Sequence, residues 1–176
     1  AIRALGRVTR GFLFKNSTKI ERSETTGGVV TFTTVHYSRP VDCDFFMHMN
    51  NAFYFRHAEL ARWELLPITG ILQKSLKHKW MFLVVSQQAE YLAQLPPLTK
   101  FHLRTKAYAD ENDKYLYFSH DFVSEDGEIT YATAEVKAIV KMMAGQLKGK
   151  TVRPTEMAST LENVFLSTKR EEEEQG

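Results

Sequence analysis

The chain has 176 residues, of which 43% are hydrophobic, 12% aromatic and 25% charged, the make-up of one folded globular domain and not of a disordered or fibrous chain. A formal net charge of +2 is far below the basic excess of a polyanion binder, so nucleic acid is not an expected partner. Cys43 is the single cysteine and no Cys/His cluster has zinc-site spacing, which excludes an internal disulfide and argues against a metal centre.

The first 19 residues carry Arg3, Arg7, Arg10, Lys15 and Lys19 and no acid, with Ile2, Leu5, Thr9, Phe12 and Leu13 at helical spacing. Two readings stay open for this basic extension, residues 1–28: a helix packing on the domain, or an amphipathic helix lying on a membrane or left from a targeting segment. The chain starts at Ala1 and not Met, so a preceding piece is expected to have been removed. The compartment is unassigned, with intracellular and cytoplasmic as the default. At the other end residues 167–176 hold four consecutive glutamates, from Glu171 to Glu174, and are expected to form a solvated, disordered tail.

The domain itself is expected over 29–166. Val29 to Tyr37 is rich in β-branched and aromatic residues after Gly27-Gly28, which predicts a strand, and Pro40 follows it. Asn50 to Leu66 contains no Gly or Pro and is rich in helix formers, which predicts one long helix stopped by Pro67. Its apolar residues lie nearly all round the helical wheel, so it should be wrapped by other elements. A strand region is expected from Lys79 to Met143, where the longest apolar run, Trp80 to Val85, is far too short to cross a bilayer.

Within that region Phe101, Leu103, Thr105 and Ala107 alternate with Lys100, His102, Arg104 and Lys106, the period of a sheet with one wet face. Tyr115 to Val123 predicts a further strand, joined through the turn Glu125-Asp126-Gly127 to a last one ending near Met143. Ala132, Ala134, Val136, Ala138 and Val140 share a face of that strand, and their small side chains would let a helix come close. Trp63 and Ala134 are expected in the layer between helix and sheet. The class is therefore α+β, a curved antiparallel sheet wrapped around one long central helix.

The chemistry-bearing residues crowd ahead of that helix, in the segment Asp42-Cys43-Asp44-Phe45-Phe46-Met47-His48-Met49-Asn50-Asn51-Ala52-Phe53-Tyr54. Asn50 is a plausible helix N-cap, and Asp42 or Asp44 suits the positive end of a helix dipole. Each has a purely structural reading of this kind. Together, in an aromatic-rich loop feeding a helix start, Asp44, His48, Asn50 and Asn51 make a candidate site.

The pattern Asp42-x-Asp44-x-x-x-His48-x-Asn50-Asn51-Ala52-x-Tyr54, continued by Glu59-Leu60-Ala61-Arg62-Trp63, resembles the first loop and helix of hot-dog fold acyl-CoA thioesterases of the 4-hydroxybenzoyl-CoA thioesterase type. It is also similar to the thioesterase superfamily member 6 branch. The resemblance covers about Val29 to Pro154 and implies a hot-dog fold that hydrolyses acyl-CoA to free acid and coenzyme A. The catalytic residues it implies are Asp44, as nucleophile or general base, and His48, as an orienting partner of the loop more than a base.

Asn50, Asn51 and Tyr54 fall at substrate-binding positions, with backbone N–H groups near Asn50 and Asn51 facing a developing oxyanion. Glu59 is a second, weaker catalytic candidate. No cofactor and no metal are implied. The coenzyme A thioester is the expected partner, with its phosphates near Lys77, His78 and Lys79 or near Lys100, Arg104 and Lys106, although the second set reads better as a solvated strand face. A homodimer or homotetramer is expected, because a single copy would leave a strand edge unpaired. The alternatives are a hot-dog protein that binds acyl-CoA or acyl carrier protein without hydrolysis, and a dehydratase on the same fold.

Overall fold

The computed structural model describes residues 20–26, 29–109, 112, 114–146, 148–160 and 167–168. Eight strands form one sheet: β1 (Ile20–Thr26), β2 (Val29–Tyr37), β3 (Trp80–Tyr91), β4 (Lys100–Ala109), β5 (Leu116–Ser124), β6 (Thr130–Met142), β7 (Thr151–Val152) and β8 (Ser167–Thr168). Among the described residues three α-helices accompany them, α1 (Asn51–Ile68), α2 (Ile71–His78) and α3 (Pro154–Thr160). The main path of the sheet runs β1-β2-β4-β5-β6-β3, with β7 paired to β6 and β8 to β4. All pairings are antiparallel except the short β4–β8 contact.

The expected order of strand, long helix and further antiparallel strands is therefore present. The Glu125-Asp126-Gly127 turn joins β5 to β6, with Gly127 at φ +82°, a left-handed conformation that glycine adopts at little cost. The strand β1 was not expected. It pairs with β2 from Thr26↔Val29 to Ile20↔Thr34, so the sheet begins ahead of residue 29. The basic segment 1–19 and the acidic residues 169–176 lie outside the described residues.

The helix α1 runs two residues past its expected end, to Ile68, and Pro67 lies inside it. A proline removes one backbone donor but tolerates helical φ, and the closing bonds come from Thr69, whose N–H and Oγ1 both donate to the Leu65 carbonyl at 2.9 and 2.8 Å. The buried side of α1 is a stripe, Tyr54, His57, Ala58, Ala61 and Leu65, spaced at helical intervals. The small Ala58 and Ala61, both fully buried, let the helix approach the sheet. Trp63 corrects the sequence reading: it lies off the stripe, 51% exposed, and donates its indole N–H to Glu59 Oε1 at 3.4 Å. A helix apolar all round cannot disclose from its pattern which face packs.

Opposite the stripe, Phe101, Leu103, Phe122, Ala132 and Ala134 supply the sheet side of the core, and Ala134 sits in the helix–sheet layer as expected. Full burial of each large side chain is worth roughly 1.5–3 kcal/mol. A second cluster of Ile71, Val140, Val152 and Met157 closes the far end under α2 and α3. The helix–sheet layer is not wholly apolar. Thr34, His36, Asp42, His57, Thr105 and His120 are all buried; Asp42 belongs to the loop that precedes α1, and His57 reaches it from the helix.

Candidate active site

Residues 38 to 50 fold into a closed loop between β2 and α1. A 3-10 turn, Pro40–Asp42, starts it, and a bridge between Cys43 and Met49 draws its two limbs together. Asp44 organises the tip. Its N–H donates to His48 O at 3.0 Å, its O accepts from Met47 N–H at 3.1 Å, and its Oδ1 accepts from Phe46 N–H at 2.9 Å. That last bond is the local side-chain turn that aspartate favours. Met47 at φ +61° reverses the chain in a left-handed conformation, which returns His48 to face Asp44. His48 Nδ1 lies 3.4 Å from Asp44 Oδ2, with both side chains partly exposed. The sequence pair Asp44 and His48 is thus brought together.

The helix start is built as expected. Asn50 caps α1 by accepting Ala52 N–H on its Oδ1 at 3.0 Å, and its O accepts Phe53 N–H at 2.9 Å. Of the two amides expected to face an oxyanion, Asn50 N–H is taken by Asp42 O at 2.9 Å, which leaves Asn51 N–H as the candidate donor. Asn51 is exposed at the first turn, where the positive end of the helix dipole favours negative charge.

A cavity of about 220 Å³ opens beside this turn, lined by His48, Met49, Asn51, Tyr54 and the segment from Tyr91 to Leu95. Tyr54 and Leu95 are buried at its inner wall. Tyr54 stacks edge-on against Tyr91 and Phe122 with ring centres at 5.1 and 5.0 Å, and burial pushes its phenol up to about 12, so it stays an O–H at neutral pH. The Tyr91 hydroxyl donates to Asn51 O at 3.4 Å, joining the two sides of the cavity mouth. Around it Phe45, Phe46 and Met47 are exposed, with Phe45 at 95% and Phe46 at 77%.

His48, Asn51 and Tyr54 therefore line the cavity; Asp44 and Asn50 stand next to it through His48 and the helix cap. Glu59 is not part of it, being exposed and engaged by Trp63. Nor do the candidate phosphate residues line it. Lys77, His78 and Lys79 end α2, where His78 stacks on Trp80. Lys100 pairs with Glu125 at 2.6 Å and Arg104 sits in register with Asp121, the arrangement of a solvated strand face.

Two groups of residues were missed from sequence. The Tyr91–Leu95 wall is separated from the motif by most of two helices and a strand, and only tertiary structure joins them. The other is the buried set around Asp42. Arg39 donates to its carboxylate from Nε at 2.9 Å, from Nη2 at 2.8 Å and from the backbone N–H at 3.1 Å. Burial alone would raise the Asp42 carboxyl, but the side-chain and backbone hydrogen bonds from Arg39, with the charge of Arg39 and the nearby His57, together outweigh it and hold the carboxyl below its usual range. The Arg39-x-x-Asp42 spacing was the available signal for this clamp.

A family model described as the thioesterase-like superfamily matches residues 38–164. Over 133 residues the chain is 25% identical to the probable thioesterase YBR096W of Saccharomyces cerevisiae, covering 74% of this chain and 56% of that protein. It is also 26% identical over 136 residues to protein THEM6 of Drosophila melanogaster, covering 77% and 66%. The chain thus spans between about half and two thirds of the length of these curated relatives. Among solved structures it superposes on the probable thioesterase YbaW of Escherichia coli with a TM-score of 0.65 at 20% identity, covering 73% of this chain and 95% of that one. The 1,4-dihydroxy-2-naphthoyl-CoA thioesterase Slr0204 of Synechocystis gives 0.61 at 11% identity, with 73% and 93% covered. These likenesses establish the hot-dog fold.

Proposed function

The chain belongs to the thioesterase-like superfamily, and from that membership we propose that it hydrolyses acyl-CoA thioesters to the free acid and coenzyme A. The observation that carries this reading is Asp44, a partly exposed carboxylate fixed by the Phe46 N–H and set 3.4 Å from His48 beside the cavity. Of the two aspartates in the loop, Asp42 is gripped by Arg39 and Asp44 is held by a backbone amide alone.

Two routes fit this geometry. In one, Asp44 takes a proton from water as the water oxygen bonds to the thioester carbon; in the other, a carboxylate oxygen of Asp44 makes that bond itself. In both, the carbonyl becomes an oxyanion that Asn51 N–H stabilises, and its collapse breaks the C–S bond. One well-aimed donor of this kind is worth roughly 3 kcal/mol in the transition state. In the first route the thiolate takes the proton held by Asp44. In the second an acyl-Asp44 anhydride remains, which water hydrolyses to the free acid and the Asp44 carboxylate while the proton released goes to the thiolate. His48 orients the carboxylate, while Tyr54, Met49 and Leu95 give the acyl group an apolar wall.

The partner we infer is a second copy of the chain. The strand β3 ends the main path of the sheet, and among the described residues its outer edge has no pairing strand. It also shows Leu83, Val84, Val85 and Tyr91 to solvent. An unpaired apolar edge is a template for strand addition. Tyr91 belongs both to this edge and to the cavity wall, so a copy seated there would border the site. Purified protein assayed for thiol release from short, long and aromatic acyl-CoAs tests the reading: hydrolysis of at least one class supports it, and no release from any refutes it.

A further inference from the structure

We propose that His57 is a positioning residue for the Asp44 loop, acting through Asp42 in a buried chain of polar groups that continues through His36 to Thr34. The inference rests on Asp44 as the reacting carboxylate. His57 Nε2 points at Asp42, 3.6 Å from Oδ2, and makes no hydrogen bond. His57 Nδ1 is 3.1 Å from His36 Nδ1, and His36 Nε2 is 2.8 Å from Thr34 Oγ1. All four residues are buried.

One set of protons satisfies the whole chain. A lone pair on His57 Nε2 would face a carboxylate, so the proton belongs on Nε2 and the lone pair on Nδ1. His36 must then donate from Nδ1, and its bare Nε2 accepts the Thr34 hydroxyl. The 3.4 Å approach of Thr34 Oγ1 to Leu103 O is the weaker alternative for that single hydroxyl proton. A proton added to His57 falls on Nδ1 and sets two N–H groups against each other across 3.1 Å, which breaks the chain, whereas one added to His36 falls on Nε2 and turns the Thr34 hydroxyl toward Leu103 O.

Asp42 links this chain to catalysis. Its carboxylate grips Arg39 at the start of the loop, and its carbonyl accepts Asn50 N–H at the end. The seven residues enclosed between Asp42 and Asn50 include Asp44 and His48. His57 reaches Asp42 from α1 and His36 reaches His57 from β2, so loop, helix and sheet meet at one carboxylate. The charged and titratable groups facing the pair are Asp42 and Arg39 from the loop, Arg56 from α1, with Nη1 3.9 Å from Asp42 Oδ1, and His120 from β5. Phe101 of β4 packs on both rings. Burial favours the neutral form of each imidazole, and His36 is lowered to about 3.

Long-range proton–nitrogen NMR of the parent protein reads the chain without any variant. His57 is expected as the Nε2–H tautomer and His36 as Nδ1–H, both still neutral at pH 6.5, where a free imidazole is about half protonated. The opposite tautomer in either ring, or half-protonation of His57 at that pH, overturns the inference. For the link to catalysis, His57→Ala should lower kcat at least tenfold with KM within threefold of the parent. The neutral donor in His57→Gln should recover at least half of kcat and move the acid limb of its pH profile to lower pH. Parental kcat in His57→Ala, or superimposable acid limbs for parent and His57→Gln, overturns the positioning role. A parent without turnover on any acyl-CoA removes the thioesterase reading and with it the link to catalysis, while correct tautomers with a normal His57→Ala rate remove the positioning role alone.

Discussion

Arg39 closes on Asp42 from two sides, Nε at 2.9 Å from one carboxylate oxygen and Nη2 at 2.8 Å from the other, while Asp42 is fully buried. Two residues further on, Asp44 is partly exposed and bonded by a backbone amide. Neighbouring aspartates are thus divided between holding the loop and facing the cavity.

Asp42→Asn keeps the size of the side chain but removes the charge that Arg39 grips. Hydrogen bonds to charged groups contribute about 1.5–3 kcal/mol, so urea unfolding should show a loss in that range with an unchanged slope. A parental midpoint would show that the clamp adds nothing to stability.

Trp63→Ala should cost less than about 1 kcal/mol, because the side chain is half exposed and only loosely bonded to Glu59. Phe122→Ala empties a fully buried site between α1 and the sheet and should cost about 3–5 kcal/mol. Melting both variants beside the parent checks the face of α1 that packs; equal losses would contradict it.

The buried imidazoles give stability a direction with pH. Burial lowers His36 to about 3 and lowers His57 and His120 as well, against about 6.5 in the unfolded chain. Between those values the unfolded chain binds more protons than the folded one, so stability is full above about pH 6.5 and falls as pH drops below it. Each such imidazole contributes up to about 1.4 kcal/mol per pH unit. Urea midpoints at pH 7.5, 6.5 and 5.5 should fall in that order; a rise on acidification would contradict the burial of these groups.

How far the sequence could be read differs by element. The alternation in β4, the β-branched run of β2 and the Asn50 cap are local patterns, and each appears where the chain predicts it. The polar strand β1 has one apolar residue, Ile20, so its pairing rests on the hairpin with β2 and not on an apolar face. Trp63 was misplaced because a helix apolar all round carries no phase. In the site, the Asp44–His48 pair was legible because both lie in one loop. The Tyr91 wall and the Asp42–His57–His36 chain join residues from separate elements, and no spacing along the chain announces such a meeting.

Assembly follows from the edge of β3. Light scattering at micromolar concentration should report a dimer or a larger even assembly, and Val84→Lys on the exposed edge should shift it toward monomer, since an edge lysine opposes strand addition. A monomeric parent would leave the Tyr91 side of the cavity open to solvent and count against a shared site.

The most direct test is turnover of Asp44→Asn on whichever acyl-CoA the parent hydrolyses best. Asparagine keeps the shape of the side chain and can still accept the Phe46 N–H, but it can neither attack a carbonyl nor take a proton from water. The variant should keep the parental fold and bind a non-hydrolysable acyl-CoA with parental affinity, while losing about 100- to 10,000-fold in kcat. Undiminished turnover with intact binding would contradict the assignment of Asp44 as the reacting carboxylate and turn attention to His48.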